Sequence, residues 1–168
     1  MNTEKPREVL VVDLDGVLRH FLGIKALDII PRLVRDWTNP VLNFGVGKLV
    51  YRMSTPDLEI VSILRNISRQ GTRVILITFI RHRHRTLVRS WLSKAGINSC
   101  WELHLPKDEE DAISFKKRVC TNFPNTKVTV IDDNPSIRGV LAENDVDAIS
   151  PEDFLAHKKK KTQVAPRP

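Results

Sequence analysis

Glu8-Val9-Leu10-Val11-Val12-Asp13-Leu14-Asp15-Gly16-Val17 decides how this chain is read. The run Val9 to Val12 is apolar and mostly β-branched, which predicts a parallel strand buried on both faces. Asp13 and Asp15 then emerge at the carboxyl end of that strand. In open α/β sheets this is the end where ligands bind. Two residues apart in extended backbone, they point to the same side. Like charges held together in a cleft need a cation between them, or one keeps its proton. Gly16 lets the backbone turn sharply away just after the pair. A carboxylate nucleophile, a second carboxylate to move a proton and a hard divalent cation together suit phosphoryl transfer.

Outward from that stretch, strand and helix signals alternate. Thr55-Pro56-Asp57 predicts a helix start, with Thr55 as N-cap and Pro56 in the first turn. Ile60, Val61, Leu64 and Ile67 form its apolar stripe, and Gly71 ends it. Arg73 to Thr78 reads as a second buried strand. A helix follows from about His84, with Leu87, Val88, Trp91 and Leu92 on one face and Gly96 at its end. Cys100 to Leu105 reads as a third strand, Glu109 to Asn122 as a helix and Lys127 to Ile131 as a fourth strand. Asn134-Pro135 opens another helix, and Asp147 to Ile149 is a short fifth strand. Such alternation predicts an α/β fold, a parallel sheet covered on both faces. Residues 19–55 break the repeat. They are rich in apolar groups, from Phe21 to Trp37, and interrupted by Pro31, Pro40, Gly45 and Gly47. They read as a small helical lid, or as an edge-covering or dimer-forming segment.

A second carboxylate pair, Asp132-Asp133, ends the fourth strand. It meets the first pair if the two strands are neighbours; otherwise it helps to cap the next helix, a task Asn134 is placed to perform. Four carboxylates without cysteine or histidine nearby favour an oxygen-loving cation, hence Mg2+. Thr78 ends the second strand, where a hydroxyl and the following N–H groups can grip a phosphate oxygen. A lysine is expected to complete the site. Lys107, Lys116 and Lys117 are the candidates, and helical phase favours Lys116 or Lys117 without separating them. Beyond Thr78 lies Arg81-His82-Arg83-His84-Arg85. Cations at a helix start oppose its dipole, a cost an anionic ligand would offset, so Arg81, Arg83 and Arg85 are candidate substrate contacts. A solvated face is the plainer alternative.

The 168 residues read as one domain of ordinary composition, 41% hydrophobic and 28% charged, a range typical of globular proteins. No apolar run approaches the roughly 18 residues of a membrane span, which argues against a membrane partner. Met1 to Arg7 holds no signal-peptide core, and Cys100 and Cys120 have no metal-ligand spacing; both point to a cytoplasmic protein with reduced thiols. The net charge of +7 is concentrated at one end. Without the five cations of residues 157–168 it falls to +2. Residues 1–156 therefore read as the domain and 157–168 as a disordered basic tail, a candidate for weak nucleic-acid binding.

The motif residues resemble those of the haloacid dehalogenase-like superfamily. Asp13-Leu14-Asp15-Gly16-Val17 is similar to its first motif and Thr78 to its second. Lys116 or Lys117 fits the third, and Val130-Ile131-Asp132-Asp133 the fourth. The resemblance implies a three-layer Rossmann-like fold with sheet order 5-4-1-2-3 and a cap within residues 19–55. It implies Asp13 as a nucleophile that forms an aspartyl-phosphate, and Asp15 as the acid and base. It implies Mg2+ held by Asp13, the main-chain carbonyl of Asp15, Asp132 and Asp133. Dehalogenase-type relatives lack the second acid, so Asp15 points to a phosphatase or phosphomutase. The start of the chain is similar to deoxyribonucleotidase-like phosphatases. Thr78-x-x-Arg81 and Ile131-Asp132-Asp133 are similar to the phosphatase domain of polynucleotide kinase-phosphatases. Both imply a nucleotide-like phosphomonoester or a nucleic-acid end. A sugar phosphate, or a binding role with little catalysis, are the competing expectations.

Overall fold

The computed structural model describes residues 8–21, 49, 51–80, 84–97 and 101–164. Its elements are β1 (Glu8–Asp13), β2 (Arg19–Phe21), β3 (Ser54–Pro56), α1 (Leu58–Arg69), β4 (Arg73–Ile77), α2 (Arg85–Lys94), β5 (Glu102–His104), α3 (Ala112–Thr121), β6 (Lys127–Ile131), α4 (Pro135–Ala142), β7 (Asp147–Ile149) and α5 (Pro151–Val164). Five strands make a parallel sheet in the order β5-β4-β1-β6-β7. Counted among themselves, these strands run 3-2-1-4-5, which is the expected 5-4-1-2-3 from the other edge. The difference in detail is a separate antiparallel pair, β2 and β3.

Alternation along β1 explains why it is central. Val9 and Val11 pack with Ile75, Ile77, Phe115, Val119 and Val130 on one face of the sheet. Leu10 and Val12 pack with Ile60, Leu64, Val88 and Trp91 on the other. Each fully buried aliphatic side chain of this kind contributes about 1.5–3 kcal/mol. With both faces occupied, the strand has no polar side to show, and its first charged group after Glu8 comes where the sheet ends.

The N-cap of α1 differs from the expectation. Asp57, not Thr55, accepts the capping bond from Ile60 N–H at 3.0 Å. Thr55 and Pro56 are instead in β3, where Thr55 pairs with His20 and Pro56 with Arg19. The same pairing adds to the reading of residues 19–55: 19–21 and 54–56 form an antiparallel stem, and residues 49 and 51–53 are helical. Residues 22–48 and Val50, the body of the expected lid, lie outside the described residues. Asn134 caps α4 as expected, accepting from Ser136 N–H. Helix α3 starts later than expected because Asp111 accepts from both Ile113 and Ser114 N–H at 2.9 Å.

The final helix is the largest departure. Ser150 Oγ accepts from Asp153 N–H at 3.1 Å and donates to its carboxylate at 2.7 Å. Phe154 is buried against the core. Thus started, α5 runs to Val164, an extent that lysine's good helix propensity allows. Residues 165–168 lie outside the described set. Among the described residues, no helix is long and apolar enough to cross a membrane. Cys120 is a buried free thiol, and Cys100 lies outside the described residues.

Candidate active site at the carboxyl edge of the sheet

Asp13 is the last residue of β1. It shares a face with Val9 and Val11, the face that α3 covers. On α3, Phe115, Lys116, Val119 and Cys120 form the buried stripe, the spacing expected for one side of a helix. Lys116 thus lies under the sheet edge with its ammonium at the strand ends. It donates to Asp13 Oδ2 at 2.6 Å. It also donates to Asp132 Oδ2. Strand β6 brings Asp132 there because it pairs directly with β1.

Of the three candidate lysines, only Lys116 makes these contacts. Lys117 is half-buried beside it on the helix, and Lys107 is exposed. Burial opposes the charge on Lys116, but Asp13 and Asp132 outweigh it and hold the ammonium above its ordinary range. Burial pushes the Asp13 carboxyl up to about 7 against the pull of Lys116, with Asp132 and Asp15 adding to the rise. Even with a lysine present, Asp13 resists ionisation. Asp13, Asp132 and Asp133 each offer an oxygen within 4.8 Å of the others. This donor set is all carboxylate, and Asp13 within it resists ionisation. Both properties fit a hard divalent cation. The side chain of Asp15 is not part of that group.

Gly16 supplies the turn, with a φ of 83°. A Cβ on Gly16 would collide with the Asp133 carboxylate, so the two pairs approach each other as closely as backbone without a side chain permits. Asp132 also has local bonds. Its Oδ1 accepts from Asn134 N–H at 2.8 Å, and its carbonyl accepts from Arg138 at 2.7 Å.

Asp15 sits in the turn after β1, so strand alternation does not set its direction. Its Oδ2 accepts from Thr78 Oγ at 2.9 Å, and Thr78 directly follows β4 in a fully buried position. Its Oδ1 accepts from Arg19 Nε at 2.7 Å and from Arg19 Nη2. Arg19 was not among the expected site residues. Its signal in the sequence is a cation inside an apolar stretch, Val17-Leu18-Arg19-His20-Phe21. Arg85 begins α2, and no side chain caps that helix at His84. Arg85 lines a cavity of about 200 Å3 with Leu103, His104 and Leu105. His104 pairs with Ile77, and Ile77 with Asp13, which puts this lining residue about two strand spacings, ~10 Å, from Asp13. Arg81 and Arg83 lie outside the described residues.

Two solved structures share this arrangement of strands and helices. A chain of the "Structure of Pnkp1/Rnl/Hen1 complex" superposes with a TM-score of 0.59 at 18% identity over 89% of this chain. This chain spans only 47% of that one's length. A hydrolase from Streptococcus pneumoniae TIGR4 superposes with a TM-score of 0.58 at 15% identity, covering 87% of this chain and 92% of the other. The likeness shows the fold, a parallel sheet flanked by helices of the kind the motif resemblance implied. No protein-family model and no curated protein matches the sequence. The order of the sheet accounts for the meeting of Asp13, Lys116 and Asp132, since β1 and β6 are neighbours in it.

Proposed function

We propose that this protein is a Mg2+-dependent phosphomonoesterase working through an aspartyl-phosphate on Asp13. The observation that carries this reading is the Lys116 ammonium shared by Asp13 and Asp132 at the ends of adjacent parallel strands, with Asp15 and Asp133 alongside. Asp13 attacks phosphorus, the bond from phosphorus to the ester oxygen breaks, and Asp15 supplies the proton to the departing oxygen. Water then attacks the aspartyl-phosphate, its proton passes to Asp15, and the bond from phosphorus to Asp13 breaks to release phosphate. Lys116 neutralises charge on Asp13 and on the phosphoryl oxygens, and Thr78 donates to one of those oxygens. Asp13, Asp132 and Asp133 would hold Mg2+, which supplies positive charge to the transferring group. The substrate is a nucleotide or a nucleic-acid end. The Arg85–His104 cavity supports this, because its ~10 Å offset suits a substrate with a nucleoside-sized body, and Arg81 and Arg83 add cation density in the same segment.

The test is hydrolysis of p-nitrophenyl phosphate with Mg2+ and with EDTA, then a panel of nucleoside monophosphates, 3′- and 5′-phosphorylated oligonucleotides and sugar phosphates. Turnover that requires Mg2+ and disappears in a folded Asp13→Asn variant is expected. An active Asp13→Asn variant would overturn the nucleophile assignment. Preference for sugar phosphates would overturn the substrate class.

A further inference from the structure

We propose that Arg19 is the positioning residue for Asp15, and that through it the stem of the 22–48 insertion becomes part of the proton-transfer device. This rests on the phosphatase reading only for the chemical role of Asp15.

Arg19 is a nearly sequestered cation, 4% exposed as a side chain, paired with a carboxylate that is 28% exposed. An arginine so placed acts through its fork, with several donors fixed in one plane. Nε and Nη2 both reach Asp15 Oδ1. Nη1 donates to Ser54 Oγ at 2.8 Å, on the returning limb of the stem. The guanidinium carbon lies 4.3 Å from the centre of the Tyr51 ring, a cation–π distance. Tyr51 meets Trp91 edge to face at 6.5 Å, and Trp91 Nε1 donates to Ser54 carbonyl at 3.1 Å. The fork, carried on β2, is therefore held by Tyr51 and by Ser54 of β3, and Ser54 is held in turn by Trp91 of α2.

The second oxygen of Asp15 explains why this matters. Oδ2 accepts from Thr78 Oγ. A threonine hydroxyl has one proton to donate. When that proton turns to a phosphoryl oxygen, Thr78 releases Oδ2, which is then available to the leaving oxygen. Oδ1 stays with Arg19. In the substrate complex, Arg19 is thus what keeps Asp15 from rotating.

The experiment compares Arg19→Met and Arg19→Lys with Asp15→Asn, on p-nitrophenyl phosphate and on an alkyl phosphate. Positioning predicts that Arg19→Met costs about 10-fold or more in kcat/KM on the alkyl ester, which needs a proton, and under about 3-fold on the aryl ester. It predicts partial recovery in Arg19→Lys. It also predicts that Asp15→Asn combined with Arg19→Met is no worse than Asp15→Asn alone, as coupled residues require. Equal losses on both esters, with losses that multiply in the double variant, would overturn the proposal and leave Arg19 as scaffold.

A second measurement separates this from the phosphatase reading. Hydrogen exchange of residues 19–21, 54 and 55 is followed in Asp15→Asn, with β1 and β4 as internal reference. Faster exchange confined to the stem supports the link even where no ester is turned over. Unchanged stem exchange overturns it even where the enzyme is active.

Discussion

The two halves of the site treat the same kind of group in opposite ways. The inner half, Asp13, Lys116 and Asp132, is built from two strand ends and a helix face, and it is buried. The outer half, Asp15, Arg19 and Thr78, is built from a turn and a hairpin stem, and its carboxylate reaches solvent. A compact ammonium serves the inner half and a forked guanidinium the outer. A point charge can be shared between two carboxylates with no directional demand, whereas a fork fixes the rotation of one. The inner half accordingly stores charge and the outer half stores orientation.

The largest expected effect comes from breaking the inner half. Lys116→Met should lower kcat/KM by about 100-fold or more, as loss of a charge-stabilising donor does. In EDTA at pH 8, removing one partner of a buried pair should destabilise the fold by about 3–5 kcal/mol. Urea melts measure the second effect, and a loss no greater than that of an exposed lysine such as Lys107→Met would refute the buried pairing.

A smaller effect separates the halves by pH. The Asp13 carboxyl rises from 3.8 to about 7 on folding. Such a group stabilises the folded state fully below its unfolded value, and that contribution is lost as pH rises through about 7. Lys116, held above its ordinary range, stays charged throughout this window. Metal-free protein should therefore lose stability between pH 4 and pH 8, and added Mg2+ should stabilise it more at pH 8 than at pH 5. Denaturation midpoints with EDTA and with Mg2+ check this. A Mg2+ increment independent of pH would mean that Asp13 is not a ligand.

The smallest expected effect is that of Gly16→Ala. Its positive φ and the approach of Asp133 predict about 1–2 kcal/mol of destabilisation from backbone strain. Because the Asp133 carboxylate can swing aside, the Mg2+ requirement should rise further than stability falls. A Mg2+ titration of activity, set beside a thermal melt, distinguishes the two.

The inner half was largely legible in the sequence; of the outer half, Asp15 and Thr78 stood out but Arg19, which joins them to the stem, did not. Runs such as Val9–Val12 and Val128–Ile131 have no polar face, so they name themselves as central strands, and the carboxylates that follow them inherit a place at the sheet edge. Asn134 and Pro135 mark a helix start that the structure keeps. Lys116 could be narrowed to two positions by helical phase, but only the face turned toward Asp13 separates it from Lys117. The outer half depends on a contact between Arg19 and residues more than thirty positions later, Tyr51 and Ser54, which no periodicity encodes. Thr55 misled for a related reason. Its local chemistry suits an N-cap, but pairing with His20 across the stem claims its backbone, and Asp57 caps instead. At the basic end, Ser150 and Phe154 give a helix a start that charge and the missing apolar periodicity did not announce.

The order of the sheet also sets a timetable for assembly. β1 is made first, yet its two neighbours are β4 and β6, and the second does not exist until Ile131 has been synthesised. A nascent chain that has reached only β5 therefore carries its most apolar strand with one edge unpaired, the kind of edge that recruits other chains. Parallel pairing over such separations is slow to close. The strand that carries Asp13 is thus also the one most dependent on the last third of the chain, and truncation before β6 is expected to yield an aggregating fragment rather than a weakened domain.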